Sequence, residues 1–277
     1  MGFQVIEAPL RNIWVPLGCI TADTADTLYE GQIVMGGLAS SAPLGEGMNP
    51  IGAAAGASDT TGKAVPFGVV LAFNDASPTY NSTYKGQYCT SVTTQAQQLA
   101  RDFRGVEGMW AKGDPQPFAK VAVIGPSTIL KGPIFQTSYG TSPLVYTNTT
   151  ADSTGATIVT AAIGYEPVAY NHIWYCRSGA NKGLYRVAYS HGNADTSHTF
   201  YVHWPYTLAV GDTFTFAPLR IGTSFCNFDA ESTCILQQGA TGTDYYALDV
   251  LEVNLEVAGA EYAIFKFNAD QFGALRA

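Results

Sequence analysis

The chain carries few charged side chains and no long apolar run. Charged residues make up 13% of its 277 residues, whereas soluble domains commonly carry nearer a quarter. No run of about 18 apolar residues occurs, so no membrane-spanning helix is predicted. The first nine residues lack a basic stretch ahead of an apolar core, so we expect no secretory signal. The low charge indicates a surface partly covered by partners, with a monomer coated in Ser, Thr and Asn as the alternative.

The motifs of common enzyme classes are missing as well. The chain has no Gly-x-Ser-x-Gly nucleophile turn and no Gly-x-x-x-x-Gly-Lys phosphate loop. Glu252 and Glu256 share a strand face, which places them roughly 13 Å apart. Glycosidase carboxylates lie about 5–9.5 Å apart, so this pair is read as the solvated side of a hairpin. We therefore expect no enzymatic activity, no catalytic residue and no cofactor.

Metal and nucleic-acid sites have little support in the sequence. The net charge is −8 and no basic patch is visible, so we expect no nucleic-acid partner. His191, His198 and His203 match no zinc-site spacing, so no metal site is predicted. The five cysteines form no Cys-x-x-Cys pair and are predicted to be reduced, mostly buried thiols. A disulfide between Cys226 and Cys234 is the alternative.

The strongest positive pattern lies in residues 179–216. Three segments rich in aromatic and β-branched residues alternate there with turns of Gly, Asn, Asp and Pro, which is typical of short strands. In the middle segment, Phe200, Val202 and Trp204 are predicted to share one strand face. Further on, residues 251–257 and 261–267 are predicted to form an antiparallel hairpin with Leu251, Val253, Leu255 and Val257 opposite its wet face.

The first half of the chain mixes strand signals with one helix signal. Strands are predicted at residues 31–35, 64–73 and 120–124, and Pro66 places the second of them at a sheet edge or at its own start. Apolar residues recur at i, i+4, i+7 and i+11 from Val92, which predicts a helix over residues 91–104 that covers the sheet.

The N-terminal residues 1–28 are predicted to form an extended arm, because Pro9 and Pro16 break any helix. The arm is too apolar to remain free in water, so it should pack on this chain or on a neighbour. The side chains expected to make this contact are Ile6, Leu10, Ile13 and Trp14.

Two segments of the first half resemble a known family. Tyr29-Glu30-Gly31-Gln32-Ile33-Val34-Met35 and Gly62-Lys63-Ala64-Val65-Pro66-Phe67-Gly68-Val69-Val70-Leu71 resemble the core of bacteriophage head decoration proteins, also called capsid cement proteins. Pro66 and Phe67 before Gly68 depart from the family pattern. Residues 123–135 and 179–216 resemble β-domains in virion structural proteins of tailed phages.

This resemblance, which covers about half of the chain, implies a mainly β fold in three parts. Residues 1–28 form the extended N-terminal arm, and residues 29–140 form a small β-tulip-like domain with its covering helix 91–104. Residues 141–277 form a second antiparallel β domain, a barrel or a sandwich. The family has no catalytic residues to carry over.

The function implied is structural. We expect a homotrimer on the outside of a phage capsid, with the major capsid protein as partner, no membrane contact, and contacts through Ile6, Leu10, Ile13 and Trp14. On this hypothesis, deleting residues 1–17 leaves a folded protein that no longer binds capsids. The alternative is a tail, fibre or capsid-surface module that binds glycans through exposed aromatic residues such as Tyr201, with Trp204 as a second test position.

Overall fold

The protein is mainly β. The computed structural model describes residues 2–16, 27–37, 47–50, 65–74, 91–93, 118–134, 145–161, 172–191, 196–217, 219–228, 235–238 and 246–276. Within these ranges the chain forms strands, one 3₁₀ helix at Ala269–Arg276 and no α-helix.

The strands, in chain order, are β1 (Gln4–Glu7), β2 (Arg11–Pro16), β3 (Thr27–Tyr29), β4 (Ile33–Gly37), β5 (Gly47–Pro50), β6 (Val65–Asn74), β7 (Ser91–Thr93), β8 (Phe118–Val123), β9 (Ile129–Pro133), β10 (Tyr146–Thr147), β11 (Thr157–Val159), β12 (His172–Cys176), β13 (Tyr185–His191), β14 (Ser197–Phe200), β15 (Thr213–Ala217), β16 (Gly222–Phe228), β17 (Ile235–Gln238), β18 (Tyr246–Asn254) and β19 (Tyr262–Phe267).

The chain divides into two compact units. The first unit comprises Met1–Leu130, Ala230–Thr233 and Phe267–Ala277, and the second comprises Lys131–Asp229 and Cys234–Lys266. The predicted boundary at residue 140 lies outside the described residues, so the division into an arm and two domains stays a prediction.

The first unit contains a five-stranded antiparallel sheet in the order β2-β8-β6-β4-β5. Its central strand, β6, has Pro66 as the second residue, opposite Met35 of β4. Of the two predicted places for this proline, the strand start is therefore correct. Ile33, Val69 and Val121 are fully buried on the central strands and form the centre of this sheet's apolar packing.

The predicted helix over residues 91–104 is wrong at its first turn. Ser91–Thr93 form β7, which pairs antiparallel with β3. Val92 and Thr93 are β-branched and lose side-chain freedom in a helix, so a partner strand outweighs a weak helical periodicity here. Residues 94–104 lie outside the described part of the chain.

Part of the predicted arm belongs to the sheet of the first unit. Strand β2 runs antiparallel to β8, from Arg11 opposite Val123 to Pro16 opposite Phe118. The arm was expected to pack either on this chain or on a neighbouring one. Residues 11–16 pack on this chain, by pairing with β8.

The second unit contains two sheets. One has the order β10-β15-β12-β13-β14-β11, and all its strand pairs are antiparallel. Strand β12 is buried along its whole length because it lies between β15 and β13. One face of this sheet packs a largely aromatic core: Tyr146, Ile158, Trp174, Cys176, Ala188, Phe200, Trp204, Leu208, Phe214 and Phe216.

The prediction for the middle segment of this sheet is only partly correct. Strand β14 ends at Phe200, so residues 201–204 do not continue the alternation. Phe200 and Trp204 both lie in the core, where their ring centroids are 5.3 Å apart. Val202, predicted to lie on the same face, is exposed instead.

In the other sheet of the second unit, strands β9, β19, β18, β16 and β17 are neighbours in that order. The predicted alternation over residues 251–257 fails at Leu251, which is exposed together with its neighbour Glu252. The strand buries Leu248 and Val250, so Leu251 falls on the outward face. Leu255 is buried as expected, whereas Val257 lies beyond the strand end and is exposed.

Candidate functional site

The first candidate contact surface is the N-terminal corner, residues Ile6 to Leu10. Ala8 has a φ of 52°, a left-handed conformation that side chains other than glycine rarely adopt. The Thr128 hydroxyl donates a hydrogen bond of 2.8 Å to the Ala8 carbonyl and accepts one of 3.0 Å from the Gly125 N–H. Such a conformation costs about 1–3 kcal/mol and persists where its surroundings hold it. The corner is therefore a fixed turn.

Two of the four predicted contact side chains are exposed at this corner. Ile6 is 45% exposed and Leu10 is 63% exposed. The backbone N–H of Leu10 donates to the Val123 carbonyl at 2.9 Å, which anchors the residue while its side chain faces outward. Ile13, in β2, is half-buried. The side chain of Trp14 is not among those that the structure describes.

The second surface is a pair of tyrosines, here called the tyrosine platform. It belongs to the sheet β10-β15-β12-β13-β14-β11 and lies on the outer face, the one opposite the aromatic core. A β-bulge between Ala188 and Ser190 interrupts the pairing of β13 with β14 and leaves Tyr189 as the extra residue. The rings of Tyr189 and Tyr201 lie 5.0 Å apart at an interplanar angle of 46°. Tyr189 is 41% exposed and Tyr201 is 61% exposed, so both rings present area to solvent.

Threonine hydroxyls lie on the same outer face as the platform. Thr199 precedes Phe200, whose side chain is in the core, so strand alternation turns Thr199 outward. Thr157 of β11 is directly opposite Thr199, and their hydroxyl oxygens are 3.3 Å apart. The outer face therefore combines aromatic rings with hydroxyl groups.

The third surface is the loop from Pro205 to Gly211, which is held rigidly from below. The buried Asn181 amide accepts a hydrogen bond from the Tyr206 N–H at 3.1 Å and donates to the Tyr206 carbonyl at 3.0 Å. Leu208 exchanges two backbone hydrogen bonds with Asp152, and Asp212 accepts from the Ala209 N–H. The side chains of Tyr206 and Val210 remain exposed.

Two polar residues near the loop from Pro205 to Gly211, Asn148 and Asp152, make several structural hydrogen bonds. Asn148 is buried, accepts from the Val159 N–H and donates to the carbonyls of Thr150 and Ala209. The Asp152 carboxylate accepts from the N–H and hydroxyl of Thr154 and from two further backbone N–H groups. Partial burial raises the pKa of Asp152, but these hydrogen bonds outweigh it and hold the pKa below its usual value.

The ionisable groups of the hairpin region include Glu252, Glu256 and Tyr262. Glu252 and Glu256 are both exposed, and the Tyr262 hydroxyl donates to Glu252 Oε1 at 3.3 Å. Burial first and the Glu252 charge second raise the pKa of Tyr262. A raised pKa means that the Tyr262 hydroxyl keeps its proton and remains a hydrogen-bond donor to Glu252 at neutral pH.

The described histidine side chains have different surroundings. His172 and His198 are fully buried against aromatic rings, whereas His203 is exposed. Among the residues that the structure describes, no three His, Cys, Asp or Glu side chains are grouped so that they could hold a metal ion.

No protein family, curated protein or solved structure matches this chain. In the described part of the chain, no helix has the length and apolarity needed to cross a membrane. The candidate site is therefore defined by the molecule's own surfaces: the N-terminal corner, the tyrosine platform and the loop from Pro205 to Gly211.

Proposed function

We propose that this chain is a structural virion protein that binds the outer surface of a phage capsid and stabilises the expanded shell, acting as a homotrimer. The observation that carries the proposal is the N-terminal corner. Its turn is held by Thr128, and it presents Ile6 and Leu10 to solvent on both sides of Ala8. An apolar pair on a fixed turn suits a contact with another protein surface.

The energetics of such a contact are favourable when several copies act together. Fully burying an aliphatic side chain contributes about 1.5–3 kcal/mol, so Ile6 and Leu10 supply a modest contact per subunit. Because the corner is already ordered, binding loses less conformational entropy than a flexible arm would. Three linked corners in a trimer raise the apparent affinity through effective concentration.

The low charge of the chain supports the same role. A protein that covers a shell needs large uncharged contact surfaces, and charged residues are depleted at the centre of protein interfaces. Here 13% of the residues are charged, and the described surface exposes further large apolar side chains beyond the corner, among them Tyr206 and Val210.

The experiment compares two double variants for binding to capsids that lack the chain. Ile6→Ser/Leu10→Ser removes the apolar pair at the corner. Ile221→Ser/Leu251→Ser is the matched control, since it changes the same two residue types at exposed positions of the second unit. We expect the corner variant to lose about tenfold or more in affinity, which corresponds to about 1.4 kcal/mol, and the control to bind like wild type. Equal binding by both variants would contradict the proposal.

These substitutions isolate the contact better than truncation does. Deleting residues 1–17 would remove β2 and leave the edge of β8 unpaired. The truncated protein would then lose stability as well as the proposed contact, so the expectation that it stays folded is revised. Circular dichroism and thermal unfolding of both double variants show whether the fold is retained.

A further inference from the structure

We propose that the tyrosine platform is a binding site for a neutral saccharide. This inference does not rest on capsid binding and concerns a different surface, in the second unit. It assigns the stacking role to Tyr189 and Tyr201, and it excludes Trp204, whose side chain is 2% exposed in the aromatic core.

The geometry of the two rings favours a flat, weakly polar ligand. The ring centroids are 5.0 Å apart and the planes are inclined by 46°, so the exposed faces do not stack on each other. The bulge sets the backbone position of Tyr189, and the hydrogen bond from the Tyr201 N–H to the Val187 carbonyl holds the backbone of Tyr201. A site ordered in advance loses little entropy when a ligand binds.

The chemistry of the surrounding face favours a sugar. The C–H faces of a pyranose ring stack on tyrosine, and its hydroxyl groups exchange hydrogen bonds with hydroxyl groups. The hydroxyl pair of Thr157 and Thr199 lies on the same outer face as the rings. Val187 and Val202, which lie within two residues of the tyrosines in sequence, are both exposed and uncharged.

The lack of acidic and basic side chains among these residues favours a neutral ligand over a charged one. The residues named for this face are tyrosines, threonines and valines, with no Lys, Arg, His, Asp or Glu among them. Arg186, the Lys or Arg nearest to these residues in sequence, is engaged elsewhere: its Nε donates to the His203 carbonyl and its guanidinium lies over the Trp204 ring. A polyanionic ligand such as nucleic acid needs basic side chains, so the platform fits neutral saccharides better than acidic ones.

The test uses the full chain on an array of neutral oligosaccharides with their sialylated and sulfated counterparts, followed by calorimetric titration of the best neutral oligosaccharide. Tyr189→Ala and Tyr201→Ala should each weaken binding by about tenfold or more, which corresponds to about 1.4 kcal/mol, because each removes one of the two stacking rings. Tyr201→Phe should retain most of the affinity because it keeps the ring. Tyr206→Ala is the matched control, an exposed tyrosine outside the platform, and should bind like wild type.

Because the two rings also contact each other in the folded protein, thermal unfolding of each variant is measured alongside. Any of four results would overturn the proposal: no binding to a neutral glycan, binding to acidic glycans alone, equal binding by wild type and both alanine variants, or conversion of an oligomer to monomers by Tyr201→Ala. The last result would make this face an interface between copies of the chain.

Discussion

Arg177 and Glu261 form a buried ion pair that joins the two sheets of the second unit. Arg177 follows β12, and its Nη2 donates to Oε1 of Glu261, which precedes β19. The Arg177 Nε donates to the Thr215 hydroxyl, and Glu261 Oε2 accepts from the Gly259 N–H at 2.8 Å. Both carboxylate oxygens are therefore satisfied away from bulk water.

Glu261→Gln should strongly destabilise the protein. The substitution keeps the size of the side chain but leaves the Arg177 charge buried without its counter-ion, and breaking such a pair costs about 3–5 kcal/mol. Urea unfolding of the variant measures this loss. Asp249→Asn is the control, because its 3.9 Å contact with Lys266 is partly exposed and such pairs contribute about 1 kcal/mol or less. Equal effects of the two substitutions would contradict the assignment of Arg177–Glu261 as the structural tie.

Asp152→Asn should reduce stability by about 1–3 kcal/mol at neutral pH, because an amide cannot accept all the hydrogen bonds that the carboxylate receives from Thr154, Ala156 and Thr157. Since the pKa of Asp152 is lowered in the folded protein, its contribution is present above the unfolded value of about 3.9 and is lost as pH falls through the folded pKa. The gap between wild type and variant should therefore close below about pH 4. Urea unfolding across pH measures it, and a gap that stays constant down to pH 2 would argue against this role.

Cys176 and Cys226 should resist alkylation in the folded protein. Both are free and buried, and burial raises the pKa of Cys176 to about 11 and also raises that of Cys226. At pH 8 the reactive thiolate is therefore scarce at both positions. Mass spectrometry of peptides after iodoacetamide treatment should find both residues unmodified in native protein and modified in urea. Modification of Cys226 without denaturant would show that the second unit opens.

Trp204→Ala should destabilise the protein by about 3–5 kcal/mol, as expected for removal of a large buried aromatic side chain. Trp204 packs against Phe200 and Phe214 with ring centroids 5.3 Å from each. Thermal unfolding measures this loss of stability. Tyr201→Ala, at an exposed position, is the comparison and should lower stability much less. A Trp204→Ala protein as stable as wild type would contradict this packing.

The strands were predictable where alternation persists and less so where the chain bends. Strands β6, β8, β13 and β19 lie close to their predicted positions because β-branched and aromatic residues recur there between turn residues. The end of β14 at Phe200 has no comparable signal, so Val202 was placed on the wrong face. The prediction that Leu251 is buried is wrong for a related reason. The face that a strand buries depends on the neighbouring strands, and the local sequence pattern does not contain them.

The candidate surfaces were predictable in part. Prolines and apolar residues in the first seventeen positions marked Ile6 and Leu10 as contact residues, and both are exposed. The left-handed turn at Ala8 and its hydrogen bond from Thr128 join positions 120 residues apart, which no local pattern reveals. Tyr189 likewise became a partner of Tyr201 only through a bulge, whose position depends on the pairing of two strands.

The most direct test of the proposed function is an image reconstruction of the phage particle that carries this chain, with an affinity label on the chain to mark its position. The account predicts density for the labelled chain at regular positions on the outer surface of the head, arranged in threes. Absence of the chain from particles, or a location confined to the tail, would contradict it.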